Sequence, residues 1–158
     1  MSDFTDSLDE GRYRLTDDVR DRLATSFAAG LDDERVLFAT LYGSAVEGEA
    51  ESSVHDLDVA LYVTESALSQ VWQTESDLGA VLEQRAREIM GEAVPVDVRV
   101  YNEAPIHAQF RALTGRLLVI RDRDAFVRVV EYIVPRHLDM EPLRRQALHD
   151  LISARQAS

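Results

Sequence analysis

The chain contains no cysteine, so neither disulfide bonds nor thiolate chemistry can contribute to its structure or function. It also has no apolar run near the roughly 18 residues that a membrane span requires. The N-terminal residues Met1–Phe4 are acidic, without the basic start and apolar block of a secretory signal. We therefore expect a cytoplasmic protein that does not associate with membranes.

Two phosphate-binding patterns are absent as well. Neither GxGxxG nor GxxxxGK[ST] occurs in the chain, which disfavours dinucleotide and P-loop chemistry. Lysine is also missing: all 17 basic residues are arginine, against 29 Asp and Glu, so the net charge is -12. Such an acidic surface disfavours direct binding of nucleic acid, because phosphate contacts need basic residues. Acidity without lysine is typical of proteins from halophilic organisms, and a GC-rich genome would give the same arginine bias; both explanations stay open.

The length and composition indicate one domain. A chain of 158 residues with 46% hydrophobic content can form one core, and we find no repeat or linker, so we expect a single domain over residues 1–158. The predicted order is helix, strand, strand, helix, strand, helix, strand, helix, which is typical of an α/β or α+β domain. Residues 1–15 are polar, and we expect them to be flexible.

Apolar runs and turn residues predict the individual elements. Nearly continuous apolar runs predict buried strands at Val36–Tyr42 and Leu57–Val63, separated by a hydrophilic loop from Ala45 to His55. Strict alternation predicts a third strand over Val96–Tyr101. A fourth strand is predicted over Leu117–Ile120. The predicted helices are one capped by Thr16, one from Thr64 or Ser66 to Gly91, one between Pro105 and Gly115, one from Asp124 to Val134 that Pro135 kinks or interrupts, and one from Leu138 to Ala154.

Three aspartates and a Gly-Ser pair form the candidate site. Asp56 and Asp58 are two residues apart at the start of a buried strand, so their side chains point to the same face. Asp97 lies on a later strand among valines, where an ionised carboxylate needs a cation or a hydrogen-bond donor. Carboxylates of this kind can hold one or two hard cations. Gly43 allows close approach of a ligand to the backbone, and Ser44 adds a hydroxyl, which favours phosphate binding.

Other residues of these types have a more ordinary interpretation. Asp122 and Asp124 repeat the D-x-D spacing, yet a turn followed by a helix cap explains them. His55 adjoins the candidate site, and we interpret it as a loop or capping residue rather than a metal ligand. We interpret Tyr42 and Tyr62 as core or rim aromatics. Ser44 has no partners that would make it a nucleophile.

The candidate site resembles that of the polymerase-beta superfamily of nucleotidyltransferases. The signature of these proteins is a Gly-Ser, about ten residues, a D-x-D and a third Asp on a later strand. The matching residues are Leu41-Tyr42-Gly43-Ser44, Gly48, Asp56-Leu57-Asp58-Val59 and Asp97. The segment Arg136–Leu143 also resembles the tail of minimal nucleotidyltransferases (MNT), the antitoxins of MNT–HEPN toxin–antitoxin pairs. Together these resemblances span about residues 35–150.

This resemblance implies a fold, a reaction and a partner. The fold is a small mixed sheet with helices packed mainly on one face. Asp56, Asp58 and Asp97 would be the catalytic, metal-binding residues for two Mg²⁺ ions, and Gly43 and Ser44 would bind the nucleotide. The implied reaction is transfer of AMP from ATP to a hydroxyl, typically that of a tyrosine, on a cognate HEPN ribonuclease toxin. A hetero-oligomer with the toxin is implied, and helices over residues 124–158 form a candidate docking region.

Two departures from the family pattern keep alternatives open. Eleven residues separate Ser44 from Asp56, and Glu47 stands where many members have an arginine. Arg99 could compensate for that arginine or simply form a surface ion pair. One alternative is therefore an antitoxin that acts by binding alone. Another is a transferase acting on a small molecule such as an aminoglycoside, although the chain has little room for the extra helical domain that usually binds such an acceptor.

Overall fold

A computed structural model describes residues 11–47 and 52–156 of the chain. A 3₁₀ helix at Glu65–Gln70 leads directly into the third α-helix. The other elements, in chain order, are β1 (Tyr13–Leu15), α1 (Asp17–Gly30), β2 (Val36–Tyr42), α2 (Ser44–Glu47), β3 (Ser52–Val54), β4 (Leu57–Val63), α3 (Val71–Met90), β5 (Val96–Val100), α4 (Ile106–Leu113), β6 (Arg116–Ile120) and α5 (Arg123–Gln156).

The main sheet has four strands in the order β5-β4-β2-β6. Strands β4 and β5 are parallel, whereas β2 is antiparallel to its neighbours β4 and β6. The sheet is therefore mixed, which confirms the predicted fold class. Both central strands, β2 and β4, have the bounds predicted from their apolar runs, because nearly every side chain on both of their faces is buried.

Alternate residues of this sheet pack into two cores of unequal size. Helices α1 and α3 cover one face, where the larger core includes Leu41 and Val98. On the opposite face, Ala112 of α4 packs with Tyr42 and Ala60 in a smaller cluster. The predicted packing of helices on one face thus describes α1 and α3, while α4 and the start of α5 cover part of the other.

Local signals place the ends of the first and third helices. The Val19 N–H donates to the Thr16 hydroxyl (3.2 Å), so Thr16 caps α1 as predicted. Gly91 ends α3 in the left-handed conformation, with φ of 74°. The start of α3 differs from the prediction, because the residues after Thr64 first form the 3₁₀ helix.

One continuous helix, α5, replaces the two C-terminal helices predicted for residues 124–158. The prediction that Pro135 interrupts the helix was wrong, since both Pro135 and Pro142 lie inside α5, while a kink at Pro135 stays a prediction. Both prolines are exposed. A carbonyl that loses its helical partner at an exposed proline can bind water instead, which reduces the cost of the proline.

The start of α5 also differs from the prediction in its capping residue. The Ala125 N–H donates to the Asp122 carboxylate (3.0 Å), so Asp122, rather than Asp124, caps the helix. The structural interpretation of this second D-x-D is otherwise retained. Among the residues that the structure describes, no helix is both long and apolar enough to cross a membrane.

A two-stranded sheet joins the N-terminal segment to the loop after β2. Tyr13–Leu15 pairs antiparallel with Ser52–Val54, and Leu15 is fully buried. The predicted flexibility of residues 1–15 is therefore corrected at β1, while residues 1–10 lie outside the described part of the chain. The predicted loop from Ala45 to His55 likewise contains α2 and β3; its residues 48–51, including Gly48 of the family pattern, are not described.

Candidate active site

Tyr42, Asp58 and Asp97 lie side by side in one row across three strands. Asp58 is the register partner of Tyr42 on β2 and of Asp97 on β5. Residues in register on adjacent strands project from the same face of a sheet. Their neighbours Leu41, Val59 and Val98 point into the larger core, so the two carboxylates lie on the opposite face. The topology thus brings Asp58 and Asp97 together, as the sequence predicted.

Asp56 adds its charge to this pair from the residue before β4. The pKa of Asp58 is raised from 3.8 to about 6, first because burial disfavours the charged form and second because Asp56 and Asp97 are negatively charged neighbours. Arg111 and Arg99 partly oppose this shift. Asp56 and Asp97 therefore both disfavour the charged form of Asp58, and a bound cation would oppose this effect.

The carboxylate oxygens are of the type that Mg²⁺ prefers. Asp97, however, accepts hydrogen bonds from Arg99 Nε at both of its oxygens, each at 3.1 Å. Within residues 11–47 and 52–156, no three Asp, Glu or His side chains are placed closely enough to hold a metal ion together. The donor set suits a divalent cation in its chemistry, and a cation shared with Asp97 would have to compete with Arg99, which forms the expected surface ion pair.

Gly43 lies directly beneath the Asp58 carboxylate. Its φ is 76°, a conformation that favours glycine, and it is buried between β2 and α2. A Cβ atom at this position would stand 2.7 Å from Asp58 Oδ2. The next residue, Ser44, is exposed at the start of α2. The structure thus places the predicted Gly-Ser pair against one of the predicted metal ligands, with its hydroxyl-bearing residue open to solvent.

Arg111 of α4 is a residue of this site that the sequence analysis did not single out. One of its terminal nitrogens, Nη2, would stand 3.7 Å from a Cβ at Gly43. The turn after α4 packs tightly against the end of β2, because a Cβ on Gly115 would clash with the Leu41 carbonyl oxygen. A glycine after a helix is a common stop signal. The sequence therefore does not show that the turn at Gly115 places α4 beside the site. The pairing of β6 with β2 shows it.

A buried arginine holds the other side of the Gly-Ser turn. Arg20 of α1 is 7% exposed, and its Nε donates to the Ala45 carbonyl of α2 at 2.7 Å. Its Nη2 donates to the Ser52 hydroxyl of β3 at 2.6 Å, and its Nη1 donates to Asp17 at 3.2 Å. Arg20 therefore connects α1 to the segments on both sides of residues 48–51.

The remaining predicted residues have structural roles. His55 Nδ1 lies 3.0 Å from the Gly11 carbonyl oxygen, in agreement with a loop residue. Tyr62 is buried and donates to Gln109 Oε1 at 3.0 Å, which confirms it as a core aromatic. The hydroxyls of Tyr42 and Tyr101 are 2.5 Å apart, and the pKa of Tyr42 is raised, mainly by burial.

Comparison with protein families identifies the domain that carries this geometry. Residues 30–124 match the family described as polymerase beta, nucleotidyltransferase. This range covers more than half of the chain and includes all of the predicted site residues, namely Gly43, Ser44, Asp56, Asp58 and Asp97. The chain belongs to the polymerase beta nucleotidyltransferase family. A comparison of this nucleotidyltransferase with curated proteins found no match.

A solved structure supports the fold of the nucleotidyltransferase. The chain is similar to a chain of the structure described as tri-AMPylated Shewanella oneidensis HEPN toxin in complex with MNT antitoxin. The TM-score is 0.51 at 15% sequence identity, and the match covers 84% of this chain and 98% of that chain. The similarity therefore extends beyond the family match, into the segments that flank residues 30–124.

Proposed function

We propose that this nucleotidyltransferase is an antitoxin that transfers AMP from ATP to a tyrosine hydroxyl of a cognate HEPN-type toxin in the cytoplasm. The observation that carries the proposal is the alignment of Asp58 with Asp97 beside the Gly43 turn. Family membership supports nucleotidyl transfer in general. The HEPN toxin in the similar structure is described as AMPylated and in complex with an MNT antitoxin, which supports the choice of acceptor and partner.

Asp56 and Asp58 would hold one Mg²⁺ ion. A second ion, shared with Asp97, would require Arg99 to release the Asp97 carboxylate and the three side chains to move closer together than they stand in the structure. When bound, these ions neutralise the triphosphate and lower the pKa of the attacking hydroxyl. The Gly43–Ser44 turn would bind the β- and γ-phosphates, since Ser44 is exposed and presents its hydroxyl to solvent beside the Asp58 carboxylate.

Transfer then exchanges one phosphorus–oxygen bond for another. The tyrosine oxygen bonds to the α-phosphorus, the bond from that phosphorus to the pyrophosphate oxygen breaks, and pyrophosphate leaves. The phenolic proton passes to the Asp97 carboxylate, which lies beside Asp58 in the sheet. The role of the protein is to hold the hydroxyl in line with the leaving group, an effect that contributes strongly to the rate of such reactions.

The distal half of α5 is the proposed docking surface for the toxin. Large apolar side chains are exposed there, with Leu143 at 72%, Leu151 at 66% and Met140 at 43%. Their spacing of three and eight residues places them on one side of the helix. Exposed apolar stripes of this kind are typical of surfaces that bind another protein.

The direct test is to incubate the protein with Mg²⁺, ATP labelled at the α-phosphorus and the product of the adjacent gene. We expect label on a tyrosine of that product, located by mass spectrometry. A tight complex without label would favour an antitoxin that acts by binding alone. Label on an aminoglycoside and on no protein would favour the small-molecule transferase instead.

A further inference from the structure

Glu47 and Arg111 form a bidentate ion pair beside the Gly43 turn. Arg111 Nε donates to Glu47 Oε1 at 2.9 Å, and Arg111 Nη2 donates to Glu47 Oε2 at 3.0 Å. Both side chains are about half-exposed, at 50% for Glu47 and 56% for Arg111. Solvent, and any ligand that enters from it, can therefore reach the guanidinium group. An exposed pair of this kind contributes little to stability, so exchange of its partner is inexpensive.

The same guanidinium lies beside the predicted reaction centre. Arg111 Nη2 would stand 3.7 Å from a Cβ on Gly43, and Asp58 Oδ2 would stand 2.7 Å from that same position. The space above Gly43 is thus bordered by both a carboxylate and a guanidinium group.

The arrangement of charges distinguishes Arg111 from the other arginine near Asp58. Arg99 binds both oxygens of Asp97 on β5, next to Asp58 and away from the turn. Arg111 faces a cleft of about 350 Å³ that Arg20, Arg116 and Glu47 also line. A triphosphate that enters beside Gly43 would meet this arginine-rich cleft with its terminal phosphates, which need cations to offset their charge.

The geometry of the pair also matches a phosphate. A guanidinium donates two parallel N–H bonds to a carboxylate, and it binds two phosphate oxygens in the same way. The Glu47 carboxylate therefore occupies the donors that a phosphate would use. A triphosphate carries more negative charge than one carboxylate and can displace it.

We propose that Arg111 binds the terminal phosphates of the nucleotide, and that Glu47 occupies the same guanidinium donors until the nucleotide displaces it. Glu47 thereby reduces the affinity of the site for a triphosphate. This inference rests on the proposed function, since it assigns ATP to the Gly43 turn.

The test measures nucleotide binding by calorimetry, without the toxin and in the presence of Mg²⁺. The first probe is α,β-methylene ATP, in which a methylene group replaces the oxygen between the α- and β-phosphorus atoms, so that AMP cannot be transferred. The second probe is AMP, which lacks the terminal phosphates. We expect Arg111→Gln to weaken binding of the triphosphate roughly tenfold or more and to change AMP binding less than about twofold. Glu47→Gln should strengthen triphosphate binding about three- to tenfold.

The double variant Glu47→Gln/Arg111→Gln separates displacement from a general charge effect. If Glu47 acts by occupying Arg111, the double variant binds the triphosphate as weakly as Arg111→Gln alone. If Glu47→Gln strengthens binding equally without Arg111, or if Arg111→Gln binds like the wild type, the inference is wrong and the proposed function stands. A wild-type protein that binds no triphosphate would instead overturn both.

Matched controls come from the exposed Glu141–Arg145 pair on α5, whose Arg145 Nη2 donates to Glu141 at 2.8 Å. Glu141→Gln and Arg145→Gln change the net charge by the same amounts as Glu47→Gln and Arg111→Gln, but on α5. They should leave the affinities for α,β-methylene ATP and AMP unchanged. All of these substitutions are at the surface, so the melting temperatures should stay close to that of the wild type.

Discussion

Asp58 and Asp97 are register partners on the parallel strands β4 and β5. This relationship is sensitive to the register of a single strand. A shift of β5 by one residue would turn Asp97 towards the core that now contains Val96 and Val98, and it would place a valine beside Asp58. The buried valines therefore determine which face of the sheet carries the carboxylate.

Replacement of Asp58 by Asn should abolish nucleotidyl transfer while preserving the fold. We expect a loss of about a thousandfold or more, because a neutral amide cannot replace a carboxylate ligand at the centre of the site. The measurement is transfer of labelled AMP in the presence of Mg²⁺. Asp124→Asn is the matched control, since Asp124 belongs to the second D-x-D and is exposed. Undiminished transfer by Asp58→Asn would refute the metal-site proposal.

The raised pKa of Asp58 predicts a specific dependence of stability on pH. The carboxyl group titrates at about 6 in the folded protein and near 3.8 when unfolded. The folded state therefore binds the proton more tightly, and Asp58 costs stability as pH rises from about 4 to about 6. At pH 7 and without divalent ions, Asp58→Asn should be more stable than wild type by about 1–2 kcal/mol, after allowance for solvent screening.

Urea denaturation in EDTA at several pH values measures this difference. The stability curves of the wild type and Asp58→Asn should converge at low pH and separate as pH rises towards 7. Parallel curves would show that Asp58 has no raised pKa. Addition of Mg²⁺ at pH 7 should narrow the gap if the carboxylates bind the ion.

Gly43→Ala should damage both the fold and the site. Alanine at a φ of 76° costs about 1–2 kcal/mol, and its Cβ would stand 2.7 Å from Asp58 Oδ2 and displace that carboxylate. We expect transfer to fall by about a hundredfold or more, because small misplacements of catalytic groups have effects of that size.

Gly91→Ala is the control for the cost of placing alanine at a positive φ. Gly91 has a φ of 74°, and a Cβ there would meet nothing within 4 Å. The Gly91→Ala substitution should therefore lower the free energy of unfolding by about 1–2 kcal/mol and leave nucleotidyl transfer unchanged. If both variants lose transfer equally, global destabilisation rather than the contact with Asp58 explains the loss.

Arg20→Met should loosen the segments on both sides of the Gly-Ser turn. The substitution keeps a long apolar side chain but removes the donors to Ala45 and Ser52, which should lower the free energy of unfolding by about 2–3 kcal/mol. Well below the melting temperature, where the variant is still folded, its rate of nucleotidyl transfer should be lower than that of the wild type. Arg22→Met, at an exposed position of the same helix, should have little effect on either quantity.

The proposed docking surface predicts a loss of toxin binding without a loss of folding. Leu143→Glu combined with Leu151→Glu should weaken the complex about tenfold or more, as for anchor residues of interfaces. Both side chains are highly exposed, so stability should change by less than about 1 kcal/mol. Trp72→Glu on α3 is the control, because Trp72 is 75% exposed and lies on another helix. Equal weakening by the control would place the docking surface elsewhere.

The sequence predicted the strands of the site better than the segments between them. Strands β2 and β4 are long apolar runs, and burial on both faces makes such runs recognisable without any knowledge of their partners. Strands β1 and β3 have three residues each, which is too short for a periodic signal, and they form only because they pair across the chain. Their stability depends on tertiary contact rather than on local propensity.

The same distinction applies to the site residues. Asp58 and Asp97 could be singled out from the sequence because charged residues inside apolar strands conflict with burial and need a chemical explanation. Asp56 could be singled out because it lies two residues before Asp58, immediately ahead of the same strand. Arg111 and Arg20 lie on helices, where an arginine on a polar face is common and gives no such signal. They become recognisable only when the pairing of β6 with β2 and the packing of α1 bring them to the Gly-Ser turn.

The pairing of β1 with β3 has a practical consequence for anyone who handles this protein. A purification tag or reporter fused ahead of β1 would be anchored to the strand that returns from the Gly-Ser turn, a few residues before Asp56. Assays of the reaction should therefore compare the tagged protein with protein from which the tag has been cleaved.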